Sequence, residues 1–276
     1  MGATARAGSG QPQRRARGGG GAARAALLLC ALAGAAQRAR ANAPAFEASK
    51  ACAASRLVIV AATGEGGDGV SARDLAEAYY AVAEAGGSVD VFTAGAPAIA
   101  VAPPPKGDEA VAYAAAATRV REDARLSKLL ASPAHIVSVD GVSAIPRYNA
   151  VLLLASTGAA PALKDDDHLA TMVSMFASAG RAVVALGQGQ LALAGATDGD
   201  GALVKGRSLA GTPGAGAEGT ASQVLASLGA TLTAGSGHHV DANLITAAKW
   251  HKGLAPVLLG AMGCKMPPPP SIHDEL

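Results

Sequence analysis

The side chains that could perform metal, acid–base or nucleophilic chemistry are few and scattered along this chain. An acidic run at residues 165–167 precedes His168, and the adjacent pair His238 and His239 stands near His251. Consecutive helical residues point in different directions, and carboxylates in a first helical turn interact favourably with the helix dipole. We therefore interpret the acidic run as a helix start and the adjacent histidines as solvated loop residues. We predict no metal site and no cofactor.

One stretch carries the signals of a site even though it lacks reactive atoms. Residues 181–190, RAVVALGQGQ, are a short apolar run that ends in a glycine-flanked turn, and apolar residues resume at Leu191. This pattern is typical of a buried parallel strand that turns sharply into a helix. In a doubly wound α/β sheet such a turn lies at the carboxyl edge of the strands, where ligands and catalytic groups collect.

The rest of the sequence alternates between apolar runs and segments of helical periodicity. This order predicts an α/β fold with a doubly wound, mostly parallel sheet and helices on both faces. Residues 96–149, with a helical middle at 108–130, are interpreted as a cap insertion within the same domain. The other predicted strands are residues 56–62, 88–92, 148–154 and 240–246, and the predicted helices follow Ser71 and occupy residues 165–180, 221–228 and 254–262.

Nucleotides and nucleic acids are not predicted as ligands. The glycine-rich loop at residues 64–69 lacks the G-x-G-x-x-G spacing of a dinucleotide-binding turn. The formal charge of +2 depends on residues 1–41, which hold seven of the 23 basic residues and no acidic one. The remainder is acidic overall and has no basic stripe with interleaved aromatic residues.

Both ends of the chain carry targeting signals. Residues 1–41 combine a basic start, an apolar segment at 25–36 and a small-residue site at 39–41, which fits a secretory signal peptide. An organelle transit peptide is also arginine-rich and acid-poor, so this end alone leaves that alternative open. The last four residues form the HDEL address that the retrieval receptor of the endoplasmic reticulum binds: His273, Asp274, Glu275 and Leu276. Together the two ends predict a protein of the endoplasmic reticulum lumen, without a membrane span after signal removal.

These signals divide the chain into four parts. We predict a signal peptide at residues 1–41, a linker at 42–55, an α/β domain at 56–263 and a proline-rich tail at 264–276. Cys52 and Cys264 remain once the signal peptide is removed. An oxidising lumen permits a disulfide, but the sequence does not show whether the two α-carbons come within bonding range. The sequence therefore leaves two alternatives open, a disulfide between these cysteines or two unpaired thiols.

Several motifs resemble one superfamily. They are DLAEAYY at residues 74–80 with EAG at 84–86, YNAV at 148–151, DGALVKGR at 200–207 and VDANLIT at 240–246. From Arg56 to about Met262 the chain resembles the ThiJ/PfpI (DJ-one) superfamily, specifically its glyoxalase III branch of chaperone-like proteins. The resemblance implies a flavodoxin-like, class I glutamine amidotransferase-like fold and a homodimer.

The same resemblance assigns candidate site residues. The family writes the sharp turn as Ala-(Ile/Val)-Cys-His-Gly-Pro, so Gly187 stands at the nucleophile position and Gln188 at the histidine position. Asp74 stands where the family keeps the glutamate that hydrogen-bonds the catalytic cysteine. Glu218 is one residue out of register with the acid that orients the histidine. The backbone amides implied to face an oxyanion belong to Ala155, Ser156 and Gln188.

These substitutions remove the atoms on which the family's chemistry depends. Glyoxalase III chemistry begins with thiolate addition to a 2-oxoaldehyde, but Gly187 has no side chain and Gln188 cannot exchange a proton near neutral pH. We therefore predict a catalytically degenerate binding or chaperone-like protein. An alternative is an active glyoxalase III or protein deglycase in which Ser156, Thr157, Asp74 or Cys264 replaces the thiol. A further alternative is a structural partner of an active paralogue.

Overall fold

The computed structural model describes residues 52–64, 68–107, 109–139, 141–211, 221–233, 235 and 237–265. Several predicted features lie outside these residues: the signal peptide at 1–41, most of the linker, the middle of the glycine-rich loop, Glu218 and the HDEL tail. The described residues all belong to one compact unit, residues 48–276. In the described part of the chain, no helix is both long and apolar enough to cross a membrane.

A seven-stranded sheet forms the centre of the fold. Its strands are β1 (Arg56–Ala62), β2 (Ser88–Thr93), β3 (Ala134–His135), β4 (Ala150–Ala155), β5 (Ala182–Leu186), β10 (His238–Asp241) and β11 (Leu244–Ala247). They run in the order β10-β11-β5-β4-β1-β2-β3. All neighbours are parallel except β10 and β11. The short strands β6 (Thr197–Asp198), β7 (Gly201–Ala202), β8 (Ser208–Ala210) and β9 (Thr231–Thr233) form two small separate sheets.

Helices cover both faces of the sheet, and each face has its own apolar core. One core contains α1 (Ala72–Glu84), α2 (Ala110–Glu122), α3 (Ala124–Ala131) and α8 (Leu254–Ala261). The other contains α4 (Gly141–Ala144), α5 (Ala160–Lys164), α6 (Asp167–Ser178) and α7 (Ala221–Ser227). Strands β1, β4 and β5 are buried almost throughout because alternate side chains enter opposite cores. The predicted doubly wound α/β fold is confirmed.

Local signals correctly placed two helix starts. The Ser71 hydroxyl accepts a hydrogen bond from the Asp74 amide at 3.2 Å and so caps α1. The carboxylate of Asp166 accepts from the Leu169 amide at 2.9 Å and caps α6. The acidic run therefore opens a helix, as predicted.

Two predicted elements are wrong in detail. The predicted strand at residues 240–246 is an antiparallel hairpin of β10 and β11, because the chain reverses at Ala242, where φ is +54°. The Asn243 side chain fixes this turn by donating to the carbonyls of Ala177 and Arg181. The helical middle of the insertion breaks at Asp123, which caps α3 through the Leu126 amide. The insertion also supplies edge strand β3, so it is part of the sheet as well as a cap.

A disulfide joins the two ends of the described body. Cys52 and Cys264 are bonded, with their α-carbons 4.7 Å apart. Cys52 also donates its amide to the carbonyl of Ala85, and Ser55 donates its hydroxyl to the carbonyl of Met262. Cys52 and Ser55, which fall within the predicted linker, are therefore part of the folded body, whereas Ala53 and Ala54 between them are exposed.

Candidate functional site

The predicted sharp turn follows β5. This strand ends at Leu186, and Gly187 opens a 3₁₀ helix, Gly187–Leu193, with a φ of +53°. A Cβ added at Gly187 would lie 3.2 Å from the carbonyl oxygen of Ala248. A left-handed backbone conformation is strained for residues that have a side chain, which explains why glycine suits this position.

The next glycine of the turn lies directly on the sheet. A Cβ at Gly189 would approach the carbonyl oxygen of Leu153 to 2.3 Å, far inside van der Waals contact. The 3₁₀ helix therefore packs its backbone against the backbone of β4. This close approach keeps the turn at a fixed place at the carboxyl edge.

The glutamines of the turn are engaged with neighbouring elements. Gln188 is half-buried, and its side-chain oxygen accepts from the Ala221 amide at the start of α7 at 3.4 Å. Gln190 is buried, and its amide nitrogen donates to the Ala247 carbonyl at the end of β11 at 3.1 Å. Sequence reasoning singled out Gln188 but gave Gln190 no part in holding the turn to β11.

A cavity of about 380 Å³ lies next to the loops that follow β1 and β4. Its walls come from the loops after β1 and β4, the start of α1, the insertion and the connection between β11 and α8. The polar side chains that matter most here are Arg73, Asp74, Glu109, Ser156, Thr157 and Lys249. Neither Gly187 nor Gln188 lines it. The structure thus gathers Asp74, Ala155 and Ser156 at one cavity and leaves the nucleophile and histidine positions outside it.

Asp74 presents a partly buried carboxyl to this cavity. Its Oδ1 accepts a hydrogen bond from the Trp250 amide at 2.8 Å. Burial raises the pKa of Asp74, and this effect outweighs the opposing influence of the Trp250 amide, Ser71 and the cations Arg73 and Lys249. Trp250 itself is buried in the core with α1 and α8.

Ser156 is held by backbone groups. Its hydroxyl oxygen accepts from the amides of Gly64 at 3.1 Å and Ala159 at 3.3 Å. Because a hydroxyl oxygen has two acceptor lone pairs, both are occupied. The Ser156 amide donates to the Ala62 carbonyl at 3.0 Å, so it is not directed at an oxyanion. The implied oxyanion role of this amide does not fit its geometry.

Two further contacts at the cavity were not predicted. Asp68, after β1, accepts from the amide of Gly158, after β4, at 2.5 Å and joins the two loops. Glu109 of the insertion forms an ion pair with Lys249 of the β11–α8 connection, which lowers the pKa of Glu109. Both partners are about half exposed, so the pair contributes little stability. No sequence motif marks either pair, since the partners are far apart along the chain.

The histidines are more engaged than predicted. His238 and His239 lie on β10 rather than in a loop, and Nδ1 of His238 is 3.1 Å from Nε2 of His251. Nε2 of His168 lies 2.8 Å from the Val139 carbonyl and donates to it. Within the described residues, no group of three or more His, Cys, Asp or Glu side chains is arranged to hold a metal ion.

The cysteines lie elsewhere. Cys52 and Cys264 are bonded to each other and buried in the core that also contains α1 and α8. Cys264 therefore cannot serve as a replacement nucleophile, because a disulfide sulfur is not a thiolate.

Solved structures share this fold at low sequence identity. Rapid Encystment Protein 24 kDa from Francisella tularensis superposes with a TM-score of 0.61 at 14% identity, covering 75% of this chain and 99% of that protein. Glyoxalase III from Candida albicans gives a TM-score of 0.60 at 14% identity, covering 76% and 98% respectively. A ThiJ/PfpI domain protein from Brachyspira murdochii gives 0.52 at 14% identity, covering 75% and 95%. No protein-family model and no curated protein matches the sequence. The predicted resemblance is confirmed at the level of the fold.

Proposed function

Starting from the ThiJ/PfpI fold of this chain, we propose a protein of the endoplasmic reticulum lumen that resembles glyoxalase III but lacks its thiol chemistry. It serves as a binding or chaperone-like protein. The observation that carries this proposal is the turn after β5, where Gly187 offers bare backbone at φ +53°. The resemblance places a cysteine at this position in the catalytic relatives.

Covalent attack on an aldehyde needs an activated nucleophile near a proton carrier. Gly187 supplies no nucleophile, and Gln188 is a neutral amide bonded to the start of α7. Loss of the nucleophile from such a catalytic unit costs several orders of magnitude in rate. The retained turn therefore has a structural role.

The other candidate side chains are poorly placed to replace the missing nucleophile. Cys264 is in a disulfide, and both lone pairs of the Ser156 hydroxyl accept amide hydrogens. The alternative function, an active glyoxalase III or deglycase, is left with Thr157 and Asp74 at the cavity. Asp74 already accepts from the Trp250 amide, and burial raises its pKa.

The cavity supports a binding role. Its volume of about 380 Å³ falls within the roughly 300–1,000 Å³ typical of small-molecule sites. Arg73, Asp74 and Thr157 contribute polar groups to its lining, and Pro103 and Pro105 contribute apolar surface. This combination suits a small polar molecule with a short apolar part.

The loss of catalysis is tested with methylglyoxal. We expect the purified mature chain to form no lactate above the buffer blank at neutral pH. Asp74→Asn is the matched control, because it keeps an oxygen acceptor for the Trp250 amide while removing the carboxyl group. Lactate formation by the wild type that disappears in Asp74→Asn would establish the alternative, an active enzyme with a non-standard nucleophile.

The proposed location has three supports. Residues 1–41 resemble a secretory signal, residues 273–276 read HDEL, and the disulfide suits an oxidising compartment. Deletion of residues 273–276 should cause secretion of the chain into the medium, because the retrieval receptor would no longer bind it. Retention of the truncated chain inside the cell would count against the HDEL role.

A homodimer is proposed from the resemblance alone, and light scattering on the mature chain tests it by mass.

A further inference from the structure

Two histidines from different elements share a hydrogen bond at the edge of the sheet. His238 lies on β10, and His251 lies in the connection between β11 and α8. Nδ1 of His238 and Nε2 of His251 are 3.1 Å apart, and the two ring planes are inclined by only 19° with their centroids 5.1 Å apart. Both residues are half-buried. The bond therefore attaches the connection to the edge strand.

The surrounding hydrogen bonds assign the protons of this pair. The Gly253 amide donates to Nδ1 of His251 at 3.2 Å, so in the neutral ring the hydrogen is on Nε2. Nε2 then donates to Nδ1 of His238, and His238 carries its own hydrogen on Nε2. A metal ion between the rings would need a lone pair on both facing nitrogens. The Gly253 contact opposes that tautomer of His251.

The connection that His251 anchors also shapes the candidate cavity. The Trp250 amide donates to Asp74, and the Lys249 ammonium pairs with Glu109 of the insertion. The Ala248 carbonyl lies against the position that a Cβ on Gly187 would occupy. A shift of this connection would therefore move one wall of the cavity and remove a hydrogen bond from Asp74.

We propose that the His238–His251 pair is a pH-sensitive clasp that holds the β11–α8 connection in place near neutral pH and releases it on acidification. The inference goes beyond the proposed function and stands whether or not the cavity binds a ligand, because it concerns the position of the connection itself.

The contacts show how the bond is lost. The ring-to-ring bond needs a lone pair on one of the two facing nitrogens. Once His238 carries a hydrogen on Nδ1 facing the Nε2 hydrogen of His251, both facing nitrogens are donors and the bond is lost. Burial, then the nearby His251 and His239, lower the pKa of His238 below its usual 6.5. Release is therefore expected below that pH.

The charged surroundings do not offset this effect. The titratable groups that act on His238 are His251 and His239, and Lys252 adjoins His251 in the connection. The strands packed against β10, namely β8 and β11, contain no titratable residue. Asp241, at the other end of β10, pairs with Arg207, which immediately precedes β8. Because the folded protein binds a proton at His238 less readily than the unfolded chain does, this stabilising contribution is present above pH 6.5. It is lost as the pH falls through the lowered pKa.

Trp250, the single tryptophan, adjoins His251 and reports directly on the connection. Its side chain is 2% exposed. On titration of the mature chain from about pH 8 to about pH 5, we expect its fluorescence to shift to longer wavelength with a midpoint below pH 6.5. The far-ultraviolet circular dichroism should stay constant. His238→Gln and His251→Gln should each abolish this transition, and His239→Gln is the matched control that should retain it.

Three outcomes would overturn the proposal of a pH-sensitive clasp. The first is wild-type fluorescence that stays constant over the titration, and the second is His238→Gln and His251→Gln variants that titrate like the wild type. The third is a fluorescence change that coincides with loss of circular dichroism, which would mean global unfolding. If one glutamine variant does not fold, the other variant and the wild-type titration decide the result.

Discussion

A Cys52→Ala/Cys264→Ala double variant will unfold at a lower urea concentration than the wild type, with a loss of about 2–5 kcal/mol in the free energy of unfolding. The disulfide joins residues separated by 212 positions, so its removal frees a very long loop in the unfolded chain. Both cysteines are buried, and the bond fastens the segment before β1 to the residues that follow α8. Urea unfolding followed by circular dichroism measures the loss.

Reduction provides the control for this prediction. Dithiothreitol should shift the wild-type midpoint to that of the double variant and should leave the double variant unchanged. The double substitution avoids the stray thiol that either single variant would leave. Equal midpoints for oxidised wild type and double variant would show that the bond contributes nothing to stability.

Gly189→Ala will destabilise the protein by about 3 kcal/mol or more, at the upper end of the usual cost of overpacking. The added methyl would lie 2.3 Å from the Leu153 carbonyl oxygen and 2.7 Å from its carbonyl carbon. These are backbone atoms of a central strand and cannot rotate away. Either the 3₁₀ helix or β4 must shift, which displaces the turn that begins at Gly187.

Gly201→Ala is the matched control. Gly201 lies on the short strand β7, and a Cβ there would meet no atom within 4 Å. We expect this variant to stay within about 0.5 kcal/mol of the wild type. Thermal or urea unfolding of the two variants side by side measures the difference. Equal stability of the two variants would contradict the close packing of the turn on β4.

The sequence predicted the central architecture because that architecture depends on local patterns. Continuous apolar runs at β1, β4 and β5 indicated strands buried on both faces. Ser71 and the acidic run before α6 marked helix starts through side-chain groups adjacent to the amides they cap. The turn at Gly187 was predicted from an apolar run meeting glycine.

Features that depend on contacts between residues far apart along the chain could not be predicted from the sequence. The disulfide requires α8 to return beside the segment before β1, and no spacing rule shows that approach. The hairpin at Ala242 depends on Asn243 contacting α6 and the residues that follow it. The pairing of His238 with His251 depends in turn on this hairpin.

The candidate site was predicted in part. The family resemblance identified Asp74 and Ser156 as candidates, and the structure places both at one cavity. The resemblance could not show that the Ser156 hydroxyl and amide are already hydrogen-bonded to backbone partners. Nor could it show that the cavity excludes Gly187, because cavity walls are formed by loops whose positions depend on long-range packing.

The central claim is that no nucleophile replaces the side chain missing at Gly187. Lactate formed from methylglyoxal, measured for residues 42–276 beside glyoxalase III from Candida albicans under identical conditions, tests it most directly. We predict lactate from the glyoxalase III and none above the buffer blank from this chain. Lactate above the blank from the wild-type chain would contradict the claim, and its loss in Asp74→Asn would assign the chemistry to Asp74.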